Sequence, residues 1–273
     1  MNYMFSVSIC VYGKDNPEWF DIAVQSVLNQ TVKPDEVVIV VDGPVPEDLS
    51  KIIKKYEKNI IFKVVWLPQN LGHGNARRIG LEKTSNELVA LMDADDICMR
   101  YRFEQQLKFF EDNPNIDIVG GNIAEFIDYE SNIIGKRIVP QSDKDIKAYL
   151  KKRCPFNQMT VMFKKSSVMK AGGYLDWFCD EDYYLWIRMF LNKAIFANTG
   201  TVLVNVRVGK DMYARRGGIK YFLSEAKLQK LMYKKNIISF CCAFFNITQR
   251  LILQVLMPNC CRAILFKTLA RSR

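Results

Sequence analysis

The stretch LVALMDADDICMRYRFEQQ, Leu88 to Gln106, sets three carboxylates, Asp93, Asp95 and Asp96, at the end of an apolar run. Two carboxylates about 4–5 Å apart repel by roughly 3–4 kcal/mol at an effective dielectric near 20. A chain that gathers them needs positive charge close by, from a basic side chain or a metal ion. Mg²⁺ and Mn²⁺ prefer oxygen ligands and keep phosphate oxygens in their shell, so an Asp-x-Asp pair suits a divalent ion carried on a nucleoside diphosphate. Two other carboxylate chemistries fail on spacing. A calcium loop opening at Asp93 needs glycine where Cys98 stands, and a helix before it rather than a strand. A phosphatase-type Asp-x-Asp-x-Thr needs threonine where Ile97 stands. The simplest structural alternative is solvated acid at a helix start, with Asp96 as the cap.

A second acidic group, Asp180-Glu181-Asp182, opens the run EDYYLWIRMFL. Acids at a helix start gain from the helix dipole. The same group also suits proton transfer, because a close and partly desolvated carboxylate takes the proton of an attacking hydroxyl.

The elements that must position these acids follow from the apolar patterning. Strands are expected over Phe5–Tyr12, Glu36–Val41, Ile60–Leu67 and Glu87–Met92, with helices over Glu18–Gln30, Leu49–Tyr56 and Gly74–Thr84 between them. Near-continuous apolar strands alternating with helices predict a mostly parallel central sheet flanked by helices. In such sheets the ligand crevice lies at the carboxyl ends of the strands. Tyr12-Gly13, Asp42-Gly43 and Asp93-Ala94-Asp95 all stand at such ends. Farther on, helices are expected at Phe103–Glu111, Asp143–Arg153, Lys165–Ala171 and Glu181–Leu191. Strands are expected at Ile116–Phe126, Asn132–Val139 and Met159–Phe163, with one or two more over Ala194–Val208.

The 273 residues carry a net charge of +10, and its placement is uneven. Glu225 is the last acidic residue; up to it the chain holds 30 basic and 29 acidic residues, and nine more Lys and Arg follow. Basicity therefore belongs to the tail. Within it, Ile237–Met257 (IISFCCAFFNITQRLILQVLM) gathers Ser239, Asn246, Arg250 and Gln254 near one helical stripe and leaves a broad apolar face. Arg250 near the middle of a membrane span would be costly, so the expected form is an amphipathic helix on an anionic membrane surface, or else a helix packed on the rest of the chain. The charges are interleaved with Phe, Leu, Ile and Cys, which argues against nucleic acid as the partner. Eight cysteines without a Cys-x-x-Cys, and one histidine, give no zinc pattern and read as reduced thiols. MNYMFSVSICVYG lacks the basic start and long apolar core of a signal peptide, which points to the cytoplasm.

VSICVYGKD, VVIVVDG, NLGHGNARRIGLEKTSNELVALMDADDI and DEDYYLWIRM, in this order and spacing, resemble the family 2 glycosyltransferases of the GT-A type fold. NPNIDIVGGNIAEF, DMYARRGG and MPNCCRAILFKTLARSR are similar to the bacterial surface-polysaccharide subgroup of amylovoran type. The resemblance implies a Rossmann-like catalytic domain over residues 1–215, its nucleotide-binding half at about 1–115 and its acceptor half at about 116–215. A basic helical tail over 216–273 follows. It also implies a nucleotide-diphosphate sugar as donor, Mn²⁺ or Mg²⁺ as cofactor, and a lipid-linked saccharide as acceptor at the cytoplasmic face of the membrane. Tyr12 would lie against the nucleobase and Asp42 would accept from base or ribose. Asp93 would meet the ribose or the metal, Asp95 would bind the metal, and Arg77 would help hold the nucleotide. Asp182 would be the base of an inverting transfer, with Glu181 in reserve, while Arg188 would pair with acids and His73 takes no role. Arg215 and Arg216 suit a loop closing over the diphosphate or, equally, a basic turn near a membrane.

Two departures stand out. Val208 and Gly209 occupy the place where many relatives have a metal-binding His, and Asn157-Gln158-Met159-Thr160 stands where Asn-His-Pro-Thr is common. Two rival functions differ in what they require. A nucleotidyltransferase wants a Gly- and Lys-rich triphosphate loop, of which Gly13-Lys14-Asp15 is a poor version. A degenerate membrane-bound assembly factor would have no need to keep Asp93, Asp95 and Asp182.

Overall fold

The computed structural model describes residues 4–209 and 217–257. Asp211, Arg215, Arg216 and the tail from Pro258 onward lie outside the described residues. The first half alternates as the apolar runs require. Strands β1 (Phe5–Tyr12), β2 (Glu36–Asp42), β3 (Phe62–Trp66) and β4 (Leu88–Asp93) form a parallel sheet in the order β3-β2-β1-β4. Helices α1 (Pro17–Leu28), α2 (Glu47–Glu57) and α3 (His73–Lys83) cross between them. Helix α1 starts where it does because the Asn16 side chain accepts from Glu18 N at 2.9 Å and Trp19 N at 3.1 Å, with Pro17 preset for the first turn.

Alternate strand residues feed opposite faces. Val37, Ile39 and Val41 join the core under α1 and α2, while Val38 and Val40 meet Ala76 of α3 on the other side. Both faces are covered, so the strands can be apolar throughout.

Beyond β4 the sheet becomes mixed. A two-residue strand β5 (Ile97–Cys98) precedes α4 (Arg102–Asp112), β6 (Ile118–Phe126) and β7 (Ile133–Arg137). Helix α5 (Asp143–Leu150), a 3₁₀ turn over Gln158–Thr160, β8 (Met162–Lys164), α6 (Lys165–Lys170), α7 (Glu181–Leu191) and β9 (Phe196–Arg207) follow. Strand β8 inserts between β4 and β6, antiparallel to both; β6 runs parallel to β9, and β5 pairs antiparallel on β9. Ala194–Val208 thus becomes one long strand rather than two. Met159 falls in the 3₁₀ turn, where the Thr160 hydroxyl donates to Asn157 O at 2.7 Å, so the strand expected there starts later. Strand β5 escapes any periodicity argument because it is only two residues long.

The tail helices α8 (Ile219–Lys234) and α9 (Phe240–Leu251), the latter ending in a π-helical turn over Ile252–Leu256, pack on the rest of the chain. Leu228, Met232 and Ala243 join a core with the fully buried Trp186. The stripe turned inward by α9 is polar. Asn246 donates to Lys151 O at 3.0 Å, and Arg250 donates to Lys152 O at 2.7 Å and pairs with Glu225 at 3.1 Å. Its aromatic face looks outward. No helix among the described residues is long and apolar enough to cross a membrane.

Candidate active site

The carboxyl ends of β1, β2 and β4 lie side by side. Tyr12 is in register with Asp42, and Cys10 with Asp93, so the polar residues expected at three strand ends share one edge. Tyr12 is exposed there. The Asp42 carboxylate is buried and braces the next loop, accepting from Leu71 N at 2.7 Å and Gly72 N at 3.1 Å. Any contact with a nucleoside would use its remaining lone pairs. Gly43 lets this loop approach: its φ is +88°, and a Cβ would stand 2.5 Å from Asn70 N.

The three aspartates of the opening motif have three fates. Asp93 is paired with Arg77. Asp96 is buried and accepts from Arg207 N at 2.9 Å, and burial with the charges of Asp95 and Asp93 pushes its carboxyl well above the usual range. It does not cap α4, whose N-terminal Tyr101 makes no side-chain cap. Arg207 in turn donates to Asp95 O at 3.3 Å, its guanidinium 4.6 Å from the ring centroids of both Trp19 and Phe126. Asp95 is the member whose backbone is anchored from β9, at the mouth of the crevice. Asp15, at the end of β1, belongs to the same group. Burial, then the charges of Asp95 and Asp93, raise its carboxyl to about 6, although Tyr12 N donates to it at 2.9 Å.

Arg77 departs from expectation. It does not lie solvated on its helix, because it is fully buried. Its guanidinium donates to Ser8 O at 3.0 Å, to Met92 O at 3.0 Å and to Asp93, while Nε donates to His73 Nε2 at 3.2 Å. Arginine has only donors, so His73 Nε2 must accept and the ring proton sits on Nδ1. That proton is given to Glu181 Oε1 at 2.7 Å. A chain Asp93–Arg77–His73–Glu181 therefore joins the acidic strand end to the start of α7. Gly74 permits the approach, since a Cβ there would lie 3.2 Å from the Glu181 Cβ. His73, given no role from sequence, is the joint.

Three consecutive acids at the start of α7 are pushed apart. Burial, with Glu225 and Asp182 nearby, raises Asp180 to about 8. Although burial alone would raise it, Glu181 is held below its ordinary value by the His73 bond. Asp182 is raised to about 6 by burial and the Glu181 charge, opposed by Tyr183 N, Arg137 and Cys154. Tyr183 N donates to Asp182 Oδ1 at 2.6 Å and the Cys154 thiol lies 3.6 Å from Oδ2. These acids line a cavity of about 710 Å³ with Asn157, Arg137 and, from the tail, Arg250. Asp93 and Asp95 are not in its lining; the side-chain chain through Arg77 is what connects the two places. Arg188 forms no ion pair among the described residues but donates to Ala171 O at 2.6 Å and Gly173 O at 2.7 Å, fixing the turn before α7.

Known proteins share the family sequence pattern and the fold. The family model described as Glycosyl transferase family 2 matches residues 6–172. This chain belongs to that family. The Escherichia coli "UDP-Gal:alpha-D-GlcNAc-diphosphoundecaprenol beta-1,3-galactosyltransferase" is 37% identical over 269 residues, 98% of this chain and 96% of the relative. The amylovoran biosynthesis glycosyltransferase AmsE of Erwinia amylovora is 39% identical over 228 residues, 84% of this chain and 85% of that one. Among solved structures, Staphylococcus aureus TarS 1–349 in complex with UDP-GlcNAc superposes with a TM-score of 0.67 at 15% identity, covering 91% of this chain and 72% of TarS. The mannosyltransferase PcManGT from Pyrobaculum calidifontis, solved with GDP-Man and Mn²⁺, gives 0.62 at 14%, covering 97% and 78%. The fold is the GT-A type that the motifs resemble.

In this glycosyltransferase Arg77 is a structural hub. Breaking a buried ion pair by removing one partner costs about 3–5 kcal/mol. Arg77→Met is expected to lose stability near the low end of that range, because Asp93 is partly solvated. Chemical denaturation would measure it, and a loss below about 1 kcal/mol, the level of an exposed pair, would show that the hub carries little.

Proposed function

We propose that this family 2 enzyme is a metal-dependent, inverting glycosyltransferase. It moves a sugar from a nucleotide-diphosphate sugar to a hydroxyl of a lipid-linked saccharide, in bacterial surface-polysaccharide synthesis at the inner face of the membrane. The Asp93–Arg77–His73–Glu181 chain carries the reading, because it ties carboxylates suited to a diphosphate-bound cation to a desolvated aspartate on the next helix. The name of the E. coli relative supports a lipid-linked acceptor, and the Mn²⁺ of the mannosyltransferase supports the ion.

The residues fit a hard divalent ion. Asp93 and Asp95 offer carboxylate oxygens, and their charges add to burial in raising the neighbouring Asp15. Among the described residues no three His, Cys, Asp or Glu form a complete metal site, so donor phosphate oxygens and water would fill the shell. When bound, the ion offsets the charge of the departing diphosphate.

The chain's own groups take the other tasks. Tyr12 flanks the nucleobase and Asp42 holds the loop beneath the nucleoside. Arg77 orients Asp93 and is a positioning residue. Asp182 takes the acceptor proton from the face opposite the leaving group, as single displacement requires. Glu181, occupied by His73, keeps Asp182 basic instead of acting as base itself. Arg215 and Arg216 add positive charge over the diphosphate. Residues 1–215 form the catalytic domain and 216–273 the basic tail.

The tail lies on an anionic membrane surface. Phe240 (64%), Phe244 (64%), Phe245 (66%) and Leu256 (67%) are exposed together on the outer side of α9 and its π turn, in a segment without acids after Glu225. Apolar rings inserted at the interface and basic residues near anionic headgroups are complementary to such a surface.

Experiments on the ion, the base and the tail test these assignments. Donor hydrolysis across a panel of UDP-, GDP- and dTDP-sugars is expected to need Mn²⁺ or Mg²⁺ and to vanish in Asp95→Ala; metal-independent turnover in that variant removes the ion from the reading. Asp182→Asn is expected to abolish transfer with donor affinity kept. In the wild type kcat/KM should rise with pH through about 6 as Asp182 ionises, and Glu181→Gln, by deleting an adjacent anion, should move that limb to lower pH. A limb that stays in place assigns the base elsewhere. Changing Phe240, Phe244 and Phe245 together to Asp should release the full-length protein from phosphatidylglycerol vesicles, and unchanged co-sedimentation would contradict the docking face.

A further inference from the structure

The last acid of the chain stands where the tail meets the base helix. Glu225 is the only Asp or Glu in 217–273. From α8 it pairs with Arg250 of α9 at 3.1 Å and accepts from Gln254 in the π turn. Gly218 N donates to Gln254 O at 2.9 Å and closes the tail on itself. The Glu225 charge is also felt at Asp180, where it adds to burial. With Tyr221, Gln249, Arg250 and Leu253, Glu225 lines the cavity that holds Asp182. The tail and the proposed base thus share one cavity.

Helix α7 needs support from outside at its start. Asp180 occupies the cap position but makes no side-chain cap bond, and Cys179 before it is held at φ +60°. A non-glycine residue in the left-handed region is costly and persists only where its neighbours fix it. Helix α8 supplies the fixing. The Ser224 hydroxyl donates to Phe178 O at 2.6 Å, and the Trp177 indole donates to Ser224 O at 3.4 Å. Lys220 Nζ lies 4.0 Å from the Phe178 ring centroid and Lys227 Nζ 4.3 Å from that of Trp177, within the range at which a ring attracts a cation. Trp177 passes the restraint on, its centroid 4.3 Å from that of Tyr184 in α7. The two residues before Cys179 are therefore bound to the tail, and the two after Asp180 are Glu181 and Asp182.

We infer that the tail is part of the transfer site, with Ser224 and Glu225 as positioning residues that set the start of α7 and so the placement of Asp182. This rests on Asp182 as the base, and it gives the tail a task besides membrane contact. A base must stand within hydrogen-bond reach of the hydroxyl it deprotonates, and a shift of about 1 Å caused by a distant substitution can cost roughly a hundredfold in rate. Ser224 holds the backbone next to the left-handed residue, and Glu225 holds α9 against α8 through Arg250. Loss of both lets the turn before α7 relax and carries Asp182 with it. Asp93 is held by Arg77 and the Asp95 backbone by Arg207, so donor binding does not depend on this clamp.

The test uses the full-length protein without vesicles and reads donor hydrolysis with Mn²⁺ and amide hydrogen exchange over 177–184. In the Ser224→Ala/Glu225→Gln double variant, kcat for hydrolysis is expected to fall about tenfold or more, with the donor KM within about twofold of wild type. Exchange over 177–184 should quicken while exchange over β1 and β4 stays as in wild type. Lys230→Ala, exposed on the same helix, should match wild type in both readouts. Ser224→Thr, which keeps the hydroxyl, should retain most of the activity that Ser224→Ala loses. If the double variant exchanges quickly throughout the sheet, Ser224→Ala alone is judged by the same two readouts. Unchanged exchange over 177–184 overturns the inference whether or not donor turns over, and quickened exchange with unchanged kcat overturns it as well. Absence of hydrolysis in the wild type would fall on the transfer reading instead, and exchange would then decide the clamp.

Discussion

A guanidinium removed from water is costly unless its donors are met and its charge is balanced, and that requirement organises the centre of this fold. Arg77 reaches from α3 under the parallel sheet and spends four of its five N–H donors on Ser8 O, Met92 O, Asp93 and His73. Two of those partners are strand carbonyls, so the middle of β1 and the end of β4 are fixed relative to α3 by one side chain. His73 then extends the connection to α7. Because its Nε2 must accept from Arg77, its tautomer is set, and with it the direction of the bond to Glu181. Sheet edge and base helix cannot shift separately without leaving one of these groups unmet.

Much of this was legible in the sequence, and the exceptions share a cause. Strand β1 and helix α7 have the expected bounds, and the carboxyl-end residues Tyr12, Asp42 and Asp93 fall on one edge, because apolar runs and strand-end acids are local signals. The inward course of Arg77 was not legible. Whether a helical Arg faces solvent or the interior depends on what packs against the helix, and here that is the sheet, where Ser8 O, Met92 O and Asp93 take its donors. The i, i+4 spacing of His73 and Arg77 was visible and places them on one helical face, but only the approach of Glu181 gives it meaning. Asp96 and Arg188 show the same limit. Each looked like a charge for a helix end or an ion pair, and each instead satisfies backbone, at Arg207 N and at Ala171 O and Gly173 O.

The tail reverses the usual sidedness of a surface helix. Asn246 and Arg250 point inward because the end of α5 offers unmet carbonyls at Lys151 and Lys152, and because Glu225 on α8 supplies a counter-charge. With the polar stripe so satisfied, the aromatic face has nowhere to go but out. The stripe itself was readable as a stripe; which side it would bury was decided by the carbonyls it meets.

The same packing explains how three adjacent acids can behave differently. Asp180, Glu181 and Asp182 share burial, which alone would raise all of them, yet only Glu181 is pulled below its usual range, because only Glu181 accepts the His73 Nδ1–H hydrogen bond. A fixed anion at Glu181 opposes ionisation of Asp182, so Asp182 stays ionised at neutral pH but is more basic than a solvated aspartate, which is the balance that hydroxyl deprotonation favours. What holds Glu181 ionised is first the His73 hydrogen bond, with a smaller contribution from the charge of Arg77, the group that orients His73 and also clamps Asp93. The basicity of the base and the geometry of the acidic strand end therefore have one origin, and a substitution at the hub would disturb both together.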